Sequence, residues 1–151
     1  MSTFKSRLQS DLTEAIRARD ELRSSTLRLT LTAVTNEEVA GKEARTLSDD
    51  EVLKIVVREA KKRREAAEAF EQGGRAESAA RERAEGEILA EYLPKQLDDA
   101  ELKEIVAAAI AETGASGPSA MGAVMKVVRP KVGDRAEGGR IAAEIKSQLA
   151  G

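Results

Sequence analysis

The chain has 151 residues, room for one domain or two small ones, and is 41% hydrophobic and 34% charged with a formal net charge of −2. It contains no Cys and no His, which excludes disulfides, thiolate chemistry, zinc sites built from Cys and His, and an imidazole general base. The near-neutral balance argues against a uniformly basic nucleic-acid binder, and with aromatics at 2% the core must come from Ala, Leu, Val and Ile. Met1-Ser2-Thr3-Phe4-Lys5 opens without the apolar stretch of a secretory signal. No apolar run approaches the roughly 20 residues that span a bilayer. A soluble cytoplasmic protein without membrane contact is the expectation, with no cofactor and no metal.

In chain order, Phe4, Leu8, Leu12, Ala15 and Ile16 fall on one helical face. A second element starts near Asp20, carries Leu22, Leu27, Leu31 and Val34, and fades near Gly41. Within it Thr26-Leu27-Arg28-Leu29-Thr30-Leu31-Thr32-Ala33 alternates with period two, as a strand does. Its only possible strand partner, Val127 to Val132, is interrupted by Pro130, and a lone strand leaves its backbone unpaired, so a helix is expected. Ser48-Asp49-Asp50-Glu51 reads as a capping box opening a long helix with Val52, Leu53, Val56, Val57, Ala60, Ala67 and Phe70 inward. Gly73-Gly74 stops it, and a fourth helix runs back through Ala76, Ala80, Ile88 and Leu89 to Tyr92-Leu93, where Pro94 ends it.

Asp98-Asp99-Ala100-Glu101 starts a fifth helix carrying Leu102, Ile105, Val106, Ala109 and Ile110, broken by Gly114 to Pro118. Met121, Val124, Met125 and Val128 form the next stripe, and the Met pair at i, i+4 reads as core. From Arg129 through Pro130, Gly133 and Gly138 the composition reads as a turn, before Ile141, Ala142, Ile145 and Leu149 close the chain as a last helix. The expected fold is therefore all-α: a four-helix bundle-like domain over residues 1–94, then a small three-helix bundle over 95–151.

Charge is uneven. From Gly117 onward six Lys and Arg face three carboxylates, a local +3 in a chain of −2. Lys126 and Arg129 fall on the side of their helix away from the apolar stripe, and Lys131, Arg135 and Arg140 follow through the turn. Such a cluster can hold phosphates, and the five are candidate RNA-binding residues. A second basic surface is offered by Arg58, Lys61, Lys62, Arg63 and Arg64, preceded by Lys54, although Glu59, Glu65 and Glu68 stand at ion-pairing distance along the same helix. With three aromatics, all expected in the core, a base-stacking platform is unlikely and recognition of shape and backbone is the surviving mode. Gly133-x-x-x-x-Gly138-Gly139-Arg140 lacks the Lys and Ser/Thr of a phosphate-binding loop, and the acid pairs Glu37/Glu38 and Asp49/Asp50 have nothing converging on them, so no catalytic residues are assigned.

Leu27-Arg28, Asn36-Glu37-Glu38, Glu59 to Arg64, Glu91-Tyr92-Leu93-Pro94-Lys95-Gln96-Leu97, Glu112-Thr113-Gly114-Ala115, Met121-Gly122-x-Val124-Met125 and Pro130-Lys131-Val132 together resemble the GatB/YqeY family over essentially the whole chain. Its members are small stand-alone bacterial proteins, and a similar tail domain ends the B subunit of the glutamine-dependent amidotransferase acting on misacylated tRNA. Where the family usually reads Gly-Arg-Ala-Asp-Gly, this chain has Asp134-Arg135-Ala136-Glu137-Gly138. The resemblance implies a four-helix and a three-helix bundle. It also implies a link to tRNA amidation, a carbon–nitrogen ligation with glutamine as nitrogen donor, in which the tail domain touches tRNA. It does not imply amidotransferase activity, because the active-site parts of that enzyme have no counterpart here. The expected function is a non-catalytic accessory protein that binds tRNA or a tRNA-processing partner; the alternative is a helical protein-interaction adaptor that binds no RNA.

Overall fold

The computed structural model describes residues 3–150, and the regular elements among them are all helical. They are α1 (Thr3–Arg17), α2 (Glu21–Glu38), α3 (Asp49–Gln72), α4 (Ala76–Ala90), α5 (Asp99–Thr113), α6 (Met121–Val132) and α7 (Gly138–Ala150), with single 3₁₀ turns at Pro118–Ala120 and Gly133–Arg135. The chain parts into two compact units between Leu93 and Pro94. No helix among the described residues is long and apolar enough to cross a membrane.

The first unit is built from α1 to α4 around Leu8, Leu27, Val34, Val52 and Val56, all fully buried, with Leu47, Leu89 and Tyr92 beside them. Each such aliphatic side chain contributes about 1.5–3 kcal/mol by leaving water. The Thr-rich segment lies inside α2, and its hydroxyls explain how. Thr26 donates to the Leu22 carbonyl at 2.8 Å and Thr30 to the Thr26 carbonyl at 2.9 Å, so both are buried with their hydrogen bonds made. The inward face therefore runs Ser24, Thr26, Leu27, Thr30, Val34 at helical spacing, while Leu29, in step with Leu27 on a strand pattern, is 51% exposed.

Three inward expectations fail in whole or in part: on α3, Leu53 and Val57 are only partly buried and Ile55, outside the expected stripe, is core. Ile16 is exposed: Ala15 makes the buried contact, and the next residue on a helix is turned about 100° away. In α4, Ala76 and Ala80 are exposed and the inward positions belong to Ala79, Glu85, Ile88 and Leu89, with Glu82 partly buried. Those acids face Arg63 of α3, so the α3–α4 hairpin, the most extensive helix pairing of the chain, packs partly through charge. At the end of the unit the Tyr92 hydroxyl donates to Asp11 under the Arg7 guanidinium, 4.6 Å above the ring; burial first and the Asp11 hydrogen bond second push the phenol upward.

The second unit packs α5, α6 and α7 around Leu102, Val106, Ala109, Val124, Val128, Val132, Ile141 and Ile145, with Met121 and Met125 partly buried against them. α6 runs through Pro130, and the turn begins at Gly133 rather than at the proline. Pro130 lies inside α6, where it forfeits the bond to the Lys126 carbonyl and its ring crowds that carbonyl, yet the helix continues to Val132. Gly133 ends the helix with φ +57°, a conformation open to glycine. The Leu97 backbone amide donates to the Arg135 carbonyl at 2.8 Å and the Gln96 side-chain Nε2 to the Asp134 carbonyl at 3.0 Å, pinning the turn to the segment that leads into α5.

The expected capping box forms at Ser48/Glu51, and the start signal at Asp98 proves to be a second one, closed by Glu101. Glu51 accepts from the Arg45 guanidinium at 2.6 Å and from the Ser48 amide at 3.2 Å; these bonds, Arg45 first, lower its carboxyl from the usual 4.5 to about 2. A carboxyl depressed in the folded state stabilises the fold above pH 4.5, and that contribution is lost as pH falls toward 2. NMR titration of the side-chain carboxyl of Glu51 should give a midpoint of about 2, moving toward 4.5 in Arg45→Ala.

Candidate nucleic-acid interface

The five C-terminal cations meet different fates. α6 turns Val124, Val128 and Val132 into the core and presents Gly122, Ala123, Lys126, Arg129 and Pro130 to solvent. Lys131 Nζ pairs with Glu112 of α5 at 3.1 Å. Arg135 is partly buried and donates to the Lys131 carbonyl at 2.6 Å and the Val132 carbonyl at 3.3 Å, where the last carbonyls of α6 lack helical partners. Arg140 reaches Asp99 at the start of α5 at 3.0 Å. Lys126 and Arg129 remain exposed with no acidic partner among the described residues.

Arg129 also has a definite setting. Its terminal nitrogen stands 3.7 Å from where a Cβ on Gly138 would project, at the first residue of α7. The Ile141 amide already donates to the Glu137 carbonyl at 3.0 Å, so the amides of Gly138, Gly139 and Arg140 precede the first helical bond. The positive end of the helix dipole and the guanidinium thus lie together, beside glycines with no side chain to obstruct an approaching anion. Asp134 and Glu137, both exposed, temper that potential.

The basic run of α3 is divided in the same way. Lys61 pairs with Glu65 at 3.8 Å, and Lys62 stands 3.0 Å from Glu59. Arg63 turns to α4, 3.5 Å from Glu82 and 3.4 Å from Glu85, while Arg81 joins Glu85 to Glu21 of α2, each at 3.3 Å. Arg63 Nε, Glu82 Oε2 and Glu59 Oε2 are buried without an aligned hydrogen bond, so direct charge attraction holds them. Burial is the first cause of the raised Glu82 carboxyl, outweighing the pull of Arg63. Arg64 is exposed, as are Arg58 and Lys54; the latter two have no acidic partner among the described residues.

One member of each carboxylate pair is engaged by α1. Asp49 accepts from the Thr3 hydroxyl at 2.7 Å and the Phe4 amide at 3.1 Å, and Glu38 binds Lys5 at 2.9 Å. The inward turn of Arg63 had one sequence signal: Glu82 and Glu85 beside Gly86, whose missing Cβ would lie 3.7 Å from the Arg63 Cβ. Hydropathy alone passes over such a position.

This division separates structural from free cations. Arg63→Ala should lower the stability of the first unit by about 2–3 kcal/mol, because it leaves buried carboxylates poorly matched. Arg135→Ala should cost about 1–2 kcal/mol in the second unit. Lys126→Ala and Arg58→Ala should stay within about 0.5 kcal/mol in thermal or urea unfolding followed by circular dichroism.

No curated protein matches the chain. A family model described as Yqey-like protein matches residues 5–149, nearly the full length. The chain belongs to the YqeY-like family.

Proposed function

We propose that this protein is a non-catalytic accessory factor of tRNA metabolism that binds the sugar–phosphate backbone of folded RNA through the outer face of α6. The observation that carries the reading is the pair Lys126 and Arg129: exposed, one turn apart, without acidic partners among the described residues, with Arg129 beside the open start of α7. Lys131, Arg135 and Arg140 act as the scaffold that holds this face, since each is engaged within the unit. Phosphate contacts by Lys and Arg gain affinity from counterion release and carry little sequence information.

The aromatic side chains favour the same mode. Tyr92 is buried on Asp11, Phe4 lies 6.2 Å from the Tyr92 ring, and Phe70 is covered by Arg75 at 5.2 Å. None of them forms an open stacking platform, so recognition is by shape and backbone. The resemblance of the tail to the amidotransferase B subunit makes tRNA the RNA of choice and tRNA amidation the process served, in the cytoplasm. A chain without His or Cys fits a binding role.

A second reading, a protein-interaction adaptor, is favoured by the exposed Leu29 and Val39 of the α2 region, at 51% and 57%. Fluorescence anisotropy with labelled unfractionated tRNA at two salt concentrations distinguishes the two. Wild type should bind at low salt and weaken as salt rises. Reversing both charges in Lys126→Glu/Arg129→Glu should make the salt slope shallower by about 1.4–1.8. A wild type that binds no tRNA at low salt would refute the RNA reading in favour of the adaptor.

A further inference from the structure

We infer a second polyanion-contacting surface in the first unit, centred on Lys54 and Arg58 of α3 and continued by Lys61 and Lys62, which takes the phosphate backbone of the same folded RNA. The inference rests on the proposed RNA-binding role and extends it to a surface in a separate unit. Residues 54, 58, 61 and 62 recur at spacings of four and three, so they lie along one side of α3. Lys54 and Arg58 are about 6 Å apart along the axis and the whole row spans about 12 Å. A single small anion cannot reach across such a row; a chain of phosphates can.

The partners of these cations matter more than their number. Lys54 and Arg58 have no carboxylate partner among the described residues. Lys61 is held only by an exposed pair with Glu65 at 3.8 Å, which phosphate can replace at small cost, whereas Lys62 stands 3.0 Å from the buried Glu59 and keeps its own head exposed. Glu51, one turn before Lys54, faces away to Arg45 and Ser48. Of the nearby carboxylates, Glu82 and Glu85 are drawn into the α3–α4 contact, while Glu65 and Glu59 answer only Lys61 and Lys62 and leave Lys54 and Arg58 unmatched. Burying acid on the inner side leaves the outer side cationic, although the chain as a whole carries −2.

The occupant follows from what the face lacks. An amphipathic helix that lies in a lipid surface needs large apolar side chains among its cations. The large hydrophobic residues exposed among those described are Ile16, Leu29 and Val39, and α3 contributes none of them. The row also has no aromatic neighbour to read bases. A backbone contact, without sequence preference, is what this chemistry supports.

The test uses the full-length chain and unfractionated tRNA, comparing wild type, Lys54→Glu/Arg58→Glu, Lys126→Glu/Arg129→Glu and the quadruple variant, with unfolding curves to show that each is folded. Lys54→Gln/Arg58→Gln serves as the milder version if the reversal disturbs α3. The expected result is that Lys54→Glu/Arg58→Glu lowers affinity about tenfold at low salt and reduces the salt slope by about 1.4–1.8, and that the quadruple variant loses both contributions. Unchanged binding in Lys54→Glu/Arg58→Glu with loss in Lys126→Glu/Arg129→Glu would overturn this inference and leave the α6 site standing. The opposite pattern would sustain the α3 surface and remove the α6 assignment. No tRNA binding by wild type, or capture of an acidic peptide in its place, would overturn both.

Discussion

The guanidinium of Arg63, set between α3 and α4, is the interaction around which the first unit is arranged. A desolvated cation must be matched, and Glu82 and Glu85 occupy the positions on α4 that hydropathy would assign to alanines. A Cβ on Gly86 would meet the Arg63 Cβ at ordinary contact distance, and Arg81 carries the network on to Glu21 of α2. Buried charge of this kind adds less to stability than an apolar layer of the same volume. What it supplies is register: a hairpin shifted by one residue would leave Arg63, Glu82 and Glu85 buried and unmatched. Beyond Val56 the buried apolar side chains of the 24-residue α3 are Ala60 and Ala67, which do little to set its alignment with a 15-residue neighbour.

The same rule distributes charge through the rest of the chain. Carboxylates are consumed where a helix must start, where two helices meet, or where a turn must be held. Glu51 and Glu101 close capping boxes, Glu38 holds Lys5, Glu112 holds Lys131 and Asp99 holds Arg140. Arg135 caps α6 with its guanidinium instead of presenting it outward. The unpartnered cations on α3 and α6 are the remainder of that distribution: Lys54 with Arg58, and Lys126 with Arg129. A protein of net charge −2 can therefore present local positive faces. It does so by turning part of its acid inward or into caps, not by carrying an excess of base.

How much of this was legible in the sequence varies with the element. Ser48 to Glu51, Asp98 to Glu101 and Gly114 are read from chemistry confined to four or five consecutive residues, and each helix boundary they mark is found where the local rule puts it, whereas α4 stops at Ala90, short of the Tyr92-Leu93 end expected from Pro94. The Thr-rich stretch required a choice between two periods. It was decided by the absence of a strand partner, and the buried threonine hydroxyls show why the helix tolerates them. Pro130 misled in the opposite direction: α6 continues three residues beyond Arg129, with Val132 buried in the core on the far side of the proline. Of the ten candidate RNA-binding side chains, Arg63 and Arg135 read from sequence like their neighbours, because a run of Lys and Arg does not reveal which member turns inward.

Composition, spacing and caps were thus sufficient to determine a helical chain, the core stripes of α5, α6 and α7, and membership of the YqeY-like family. These properties depend on neighbours within about one helical turn or on motifs carried whole in the sequence. Tertiary structure alone decided that α4 faces α3 through acid, that Ile16 and Leu29 stay in solvent, and which cations remain free. The physical reason is the reach of the interactions. A cap or an apolar stripe is complete within one helix, whereas an ion pair such as Lys131 with Glu112 or Arg63 with Glu85 joins residues 19 and 22 positions apart. Whether a charge is available to a ligand depends on such a partner, and the partner exists only once the helices have packed.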